Sequence, residues 1–350
     1  MSKPTEKSRI FYFDMLNIAA CFCVILLHVN TAIFIVEDTA VWRQSLFLQT
    51  LGMWCVPVFF MLTGANLLEY REKYSTAEFF KKRLIRVFLP FIIWSGIYLV
   101  WNIYLGNIQI NSFVEAVNYF TCGKIEPIFW FFYSLFPMYL SIPILSLITK
   151  KEYKKLVWYL FGLTFICNAI LPLLTEFAGI SYMWSLTSHV GNGYVGYILL
   201  GWLLKHEEFN KRSRLVIYLL GIAAAIGMYF GSVYMNFIRY PGTTELNKTF
   251  MDYFSINCYI LSAAVFLFFK HVNWGRLSRG RIGRFITVLS GASFGIYLVQ
   301  MIVIYYYRAF RDINIFSLRW RTVGAVIIYI LCAVIILLIK RLPVVRKIVP

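Results

Sequence analysis

The sequence predicts an all-α, polytopic membrane protein with about ten transmembrane helices and both termini in the cytoplasm. Three observations lead there. Hydrophobic residues make up 60% of the 350, charged residues only 14%, and the mean hydropathy is +0.69, a balance foreign to ordinary soluble domains. Apolar stretches of about 17–25 residues, long enough to cross a bilayer, recur near residues 11–36, 45–69, 85–105, 127–148, 155–174, 183–204, 214–235, 253–271, 284–307 and 320–341. Most of the 34 Lys and Arg residues fall at the amino terminus, the carboxyl terminus and the alternate loops between, as cytoplasmic segments require.

The first stretch carries the most informative pattern. Its polar residues are Asp14, Asn17, Cys21, His28 and Thr31, spaced so that 3.6 residues per turn keeps them on one stripe. Phe11, Ile18, Phe22, Ile25 and Val29 form the opposite, apolar face. An acid, an amide and an imidazole in or near hydrocarbon mark a functional segment; an interhelical polar contact is the competing reading for His28. Asp14 and His28 lie about 21 Å apart along the axis, too far for a hydrogen-bonded dyad on a straight helix.

The third stretch opens on Lys81-Lys82-Arg83-Leu84-Ile85-Arg86. Arg83 and Arg86, three residues apart, share a helix face and suit one anionic group, phosphate above all; plain positive-inside anchoring is the alternative. Pro90 is expected to interrupt this helix and Pro172 to end the fifth. In the ninth stretch Ser290, Ser293, Tyr297 and Gln300 form a second polar stripe that can face the first. Arg308, Arg311, Arg319 and Arg321 cluster in the following loop, either for an anionic glycan, lipid phosphate or polymer, or for headgroup snorkelling.

Other classes are excluded. The net charge of +18 belongs to the cytoplasmic flanks and does not point to nucleic acid. The amino-terminal apolar segment contains Asp14 and no small-residue cleavage site, so it reads as a retained signal anchor. Seven cysteines sit mostly inside spans without metal-ligand spacing, and no metal site is expected. With no Gly-rich phosphate loop and no fused soluble module, residues 1–350 read as one membrane domain.

Several motifs in order carry a family resemblance. Arg9-x-x-x-x-Asp14 precedes the apolar run to His28; Val56-Pro57-Val58-Phe59-Phe60-Met61-Leu62-Thr63-Gly64 follows; then Arg83-x-x-Arg86 before Pro90; Trp130-Phe131-Phe132-Tyr133 with Pro143; Gly193-Tyr194-Val195-Gly196-Tyr197-Ile198-Leu199-Leu200-Gly201; and Ser293-Phe294-Gly295-Ile296-Tyr297-Leu298. Together they resemble the acyltransferase-3 family of membrane acyltransferases over nearly the whole chain. The sequence departs from that pattern at Asn17, where arginine is frequent, and at Ile128 and Gln300, where histidine is.

The resemblance implies a cell-membrane O-acyltransferase that moves an acyl group, usually acetyl from cytoplasmic acetyl-CoA, to a hydroxyl of an extracytoplasmic glycan or lipid-linked sugar. It makes His28 the essential histidine and places Arg83 and Arg86 on the CoA moiety. Asp14 is the supporting acid, with Asn17, Tyr297 and Gln300 in the cavity. The resemblance also admits a separate partner protein for delivery, and an exporter or transporter of a polar or saccharide substrate on the same architecture. Imidazole suits proton abstraction from an acceptor hydroxyl near neutral pH. Glu37 and Glu69 are the acids nearest in sequence to serve it, whereas His189, His206 and His271 are expected to be solvated.

Overall fold

The computed structural model describes residues 9–183, 193–343 and 345–349. The described residues are 77% helical and contain no strand. Eight helical stretches are long and apolar enough to cross a membrane. The two other expected spans are also helical but shorter: Ile256–His271, and Val195–His206 beside positions 184–192, which lie outside the described residues.

Helix α1 (Phe11–Val29) is the hub. It packs on α2 (Ala40–Gly52), α3 (Cys55–Leu67), α12 (Ile256–His271), α13 (Gly280–Arg311) and α14 (Ala325–Ile339). It stops sooner than expected: Thr31 lies in a following 3-10 turn, Thr31–Phe34. The second stretch is likewise two helices, α2 and α3, divided at Met53 and Trp54.

The prolines act differently from expectation. Helix α4 (Thr76–Arg83) continues through a π-helical turn, Leu84–Phe88, into α5 (Leu89–Tyr104), with Pro90 as the second residue after that turn. Pro172 has the same place after the π turn Ile166–Ile170, which joins α8 (Lys154–Phe165) to α9 (Leu171–Ala178), so the fifth span ends only at Gly179, in the left-handed region with φ 65°. A proline cannot donate to the carbonyl four residues back and its ring collides with it; a wider turn just before it absorbs the misfit without breaking the helix.

α3 crosses α10 (Val195–His206) almost backbone to backbone. A Cβ on Gly64 would stand 1.8 Å from the Ile198 carbonyl oxygen, and one on Gly201 would stand 2.0 Å from that of Met61. With no hydrophobic driving force between helices in lipid, close packing over small residues supplies the attraction. At the end of the bundle where α1 begins, hereafter the basic end, Glu69 ties the pair: it accepts from Lys205 Nζ at 2.6 Å and Trp202 Nε1 at 3.3 Å, with His206 Nε2 at 2.7 Å. His206 is therefore paired, not solvated.

Two further expectations change at the opposite end. Arg321 does not belong to a surface cluster with Arg308, Arg311 and Arg319. It is fully buried and donates to the carbonyls of Val41 and Phe316, to Ser45 Oγ at 2.6 Å and to Gln44 Oε1, clamping α2 to the turn before α14. Ser45 O in turn accepts from Asn30, two residues past His28. Glu37 is exposed.

Gly64→Ala and Gly201→Ala are expected to force α3 and α10 apart and destabilise the fold by about 1–3 kcal/mol or more. The control Gly162→Ala, whose Cβ meets nothing within 4 Å, should stay near neutral. Thermal unfolding of the purified variants in one detergent checks the contrast.

Candidate active site

The stripe on α1 meets the stripe on α13, and the two helices run parallel. Arg9 reaches the Thr287 carbonyl, Asn17 Nδ2 donates to Ser290 O at 2.9 Å and Oγ at 3.1 Å, and Cys21 Sγ donates to Ser293 O at 3.6 Å. One further pair up, the Gln300 side chain neighbours His28. The register follows from the sequence: from Asn17 to Cys21 and from Ser290 to Ser293 each stripe advances by about one helical turn, and from there to His28 and Gln300 by two, so the polar positions of the two helices stay level with one another.

A cavity of about 820 Å³ opens beside this seam. Asn17, Cys21 and His28 line it from α1, Gln49 from α2, Thr63 and Asn66 from α3, and Ser290, Ser293 and Tyr297 from α13; Thr31 lines it beyond the end of α1. Tyr297 donates its hydroxyl to the Ile128 carbonyl, so it is a wall of the cavity and not a free acid. Gln300 stands behind that wall, fully buried.

A second cavity of about 1100 Å³ occupies the basic end. Six cationic residues line it, Arg9, Lys73, Arg83, Arg86, Lys151 and Lys205, against Asp14, Glu69 and Glu72. Asp14 is held by Arg9 in a two-pronged ion pair at 2.6 and 2.7 Å, and Glu69 by Lys205. Among the described residues Arg83 and Arg86 have no ion-pair partner. Asn17, Leu62, Asn66, Arg83 and Ser290 line both cavities, so the two adjoin at a neck formed by these five residues.

The structure thus brings Arg83 and Arg86 to one vestibule, and Asn17, His28 and Tyr297 to one cavity. It does not bring Asp14 to His28. Arg83 stands at the neck, where its guanidinium lies 5.7 Å from the ring centres of both Phe79 and Tyr139 and its Nε is buried without a hydrogen-bond partner. Since the π turn begins at Leu84, Arg83 ends one regular helix and Arg86 lies inside the wider turn. Their shared direction therefore depends on this local geometry and not on a simple three-residue step. His189 lies outside the described residues.

Sequence reasoning missed the far mouth. Lys248, Asp252 and Tyr253 reach the cavity from the segment before α12, and Trp130, at the start of α7 (Trp130–Ile148), stacks on Tyr253 with ring centres 5.6 Å apart. Nothing in their spacing marks them, because a folded-over loop brings them together. Asn66 had a signal: with Thr63 it makes a polar pair three residues apart on an otherwise apolar helix.

A family model described as an acyltransferase domain matches residues 10–340. The chain belongs to the acyltransferase-3 family. No curated protein and no solved structure matches it. As a multi-pass membrane acyltransferase it needs a place for an acyl donor, a place for an acceptor and a group that moves a proton between them. Among the described residues no cluster of His, Cys, Asp or Glu has the makings of a metal site.

Glu126, outside the spans and just before Pro127, supports the wall from behind. It is 6% exposed and lies within electrostatic reach of Tyr98 and Tyr297. Burial pushes its carboxyl from 4.5 up to about 7, the Ile128 N–H offsetting part of the rise. The folded acyltransferase therefore holds this proton where the unfolded chain has lost it, and stability falls as pH rises from about 4.5 to about 7 and stays lowered above. Glu126→Gln is expected to raise the unfolding temperature at pH 8, with a free-energy gain on the order of 3 kcal/mol, and to change little at pH 4.5. Melting curves at the two pH values check the sign.

Proposed function

We propose that this acyltransferase moves an acetyl group from cytoplasmic acetyl-CoA to a hydroxyl of an extracytoplasmic glycan or lipid-linked sugar, with both termini in the cytoplasm and the basic vestibule facing it. The observation that carries this reading is the neck: a cation-lined vestibule and a His28-lined cavity share five residues.

Each part has a physical task. The phosphates of CoA need fixed cations, and two guanidinium groups at the vestibule that have no ion-pair partner among the described residues supply them. Asp14, held by Arg9, stabilises the vestibule wall and keeps one cation from competing for the ligand. From the level of Asn17 to that of His28 is roughly 16 Å along α1, a span for the extended, uncharged pantetheine arm. The amides of Asn17 and Asn66 offer partners for that arm as it passes the neck.

At the far end, an acceptor hydroxyl entering by Trp130, Lys248 and Asp252 meets His28. The imidazole takes the hydroxyl proton, the oxygen forms its bond to the thioester carbonyl carbon, and the C–S bond breaks. The proton then passes from His28 to the departing CoA sulfur, so that free CoA thiol and an O-acyl ester are the products. The mixed lining of this mouth, with an aromatic face, a carboxylate and an ammonium group, suits a sugar better than an apolar alcohol.

In lipid vesicles, purified protein is expected to release free CoA from acetyl-CoA in the presence of an acceptor glycan, and His28→Ala to reduce this by about 10²–10⁴-fold while its unfolding temperature is retained. Acetyl-CoA should also raise the unfolding temperature, and the Arg83→Ala, Arg86→Ala double variant should lose that rise. Substrate flux across the vesicle without CoA release or CoA stabilisation would favour an exporter on the same framework.

A further inference from the structure

We propose that Gln300 is the positioning residue of His28: its side-chain carbonyl accepts from imidazole Nδ1 and so leaves Nε2 as the free base for the cavity. The proposal rests on the reading of His28 as the proton acceptor.

The amide of Gln300 has little freedom. The residue is fully buried on α13, and its Nε2 donates to the Tyr297 carbonyl at 3.1 Å. A carbonyl accepts, so of the two ends of the amide only the NH2 can face it; this bond fixes which end points back along α13 and turns Oε1 away from it. Oε1 is then buried without a hydrogen-bond partner, and so is Nδ1 of the neighbouring His28. A buried acceptor and a buried imidazole nitrogen on neighbouring side chains, both unmet among the described residues, are each satisfied by a small side-chain rotation that lets a protonated Nδ1 donate to Oε1. The tautomer is thereby chosen, and with it the nitrogen that keeps a lone pair.

A neutral amide does this without adding charge. Asp14 is the one carboxylate on α1, and Arg9 holds it at the other end of the helix. Among the described residues, the charged side chains that share the cavity with His28 are Arg83 at the neck and Lys248 and Asp252 at the far mouth. The elements packed on α1, namely α2, α3, α12, α13 and α14, contribute no charged side chain to its lining; Arg321, in the turn before α14, is occupied by α2. Replacing Gln300 by a carboxylate therefore adds a charge beside the imidazole where the neighbouring lining is neutral.

The test needs no turnover. The chain has four histidines, so ring signals of the full-length protein, labelled with ¹⁵N-histidine in nanodiscs, can be assigned by removing His28 alone. In the wild type, the His28 ring is expected mainly as the Nδ1-protonated tautomer. Gln300→Leu should bring the two tautomers towards equal population, and the near-isosteric Gln300→Glu should raise the titration midpoint of His28 by about one pH unit or more. In acetyl transfer, Gln300→Leu should lower kcat about tenfold with the acetyl-CoA KM within roughly twofold, and Gln300→Glu should move the pH profile in step with the ring titration. Unchanged tautomer populations in Gln300→Leu together with an unchanged midpoint in Gln300→Glu would overturn the proposal. A ring that responds as expected in a protein that never releases CoA would uphold the positioning role and sink the acyltransferase mechanism instead.

Discussion

Inside hydrocarbon a polar side chain must meet either protein or a water-filled cavity, and this constraint sets α1 against α13. Asn17 is answered by Ser290 and Cys21 by the Ser293 carbonyl, contacts that exist in only one register of two parallel helices. A one-residue insertion or deletion ahead of either stripe would turn the polar groups by about 100° and leave them against apolar neighbours. Everything else at the site inherits this registration: the wall made by Tyr297, the seat of Gln300, and the height at which His28 faces the cavity.

The same constraint explains the irregular turns. A helix in lipid cannot leave its backbone groups open, so the cost of Pro90 is absorbed by a π turn and not by a break. That turn lies directly after Arg83, and it lets a regular helix deliver one guanidinium to the neck while Arg86 still reaches the vestibule. On the other side of the neck, the contact of Gly64 with Ile198 and of Gly201 with Met61 brings α10 close enough for Lys205 and His206 to engage Glu69. The cavity walls are thus held by backbone proximity, with the ion pairs placed where the backbone brings them.

Much of this was legible from residue spacing. The two polar stripes follow from a 3.6-residue period, and their meeting follows from the scarcity of other partners in a membrane. The vestibule was legible in Arg83 and Arg86 but incompletely, since Lys205 and Lys151 arrive there through tertiary packing. Burial of Arg321 was not readable: a guanidinium among arginines near a span end looks like a surface group until the carbonyls of Val41 and Phe316 are known to surround it. Thr31 fits the helical period and yet lies beyond the helix, because α1 ends at Val29 and Thr31 opens a separate 3-10 turn. Lys248 and Asp252 had no local signature at all, as only the course of the preceding loop decides that they reach the mouth.

The distribution of charge along the path bears on what can pass it. The vestibule is rich in cations, Arg83 is the last of them at the neck, and from there to the level of His28 the polar lining is neutral: Asn17, Asn66, Thr63, Cys21 and Ser293. Among the described residues charge reappears with Lys248 and Asp252 at the other mouth. A polyanion entering from the vestibule gains its partners early and loses them if it advances, because nothing beyond the neck replaces the guanidinium groups or bulk water. An uncharged arm tethered to that polyanion meets amides and hydroxyls instead and advances without such a loss. On the proposed reading, a ligand with a charged head and a neutral, flexible, amide-bearing arm is held at the neck by its head while its arm extends towards the imidazole. Acyl-CoA has that division, whereas an anionic cargo destined for export would have to carry its charge through the neutral stretch.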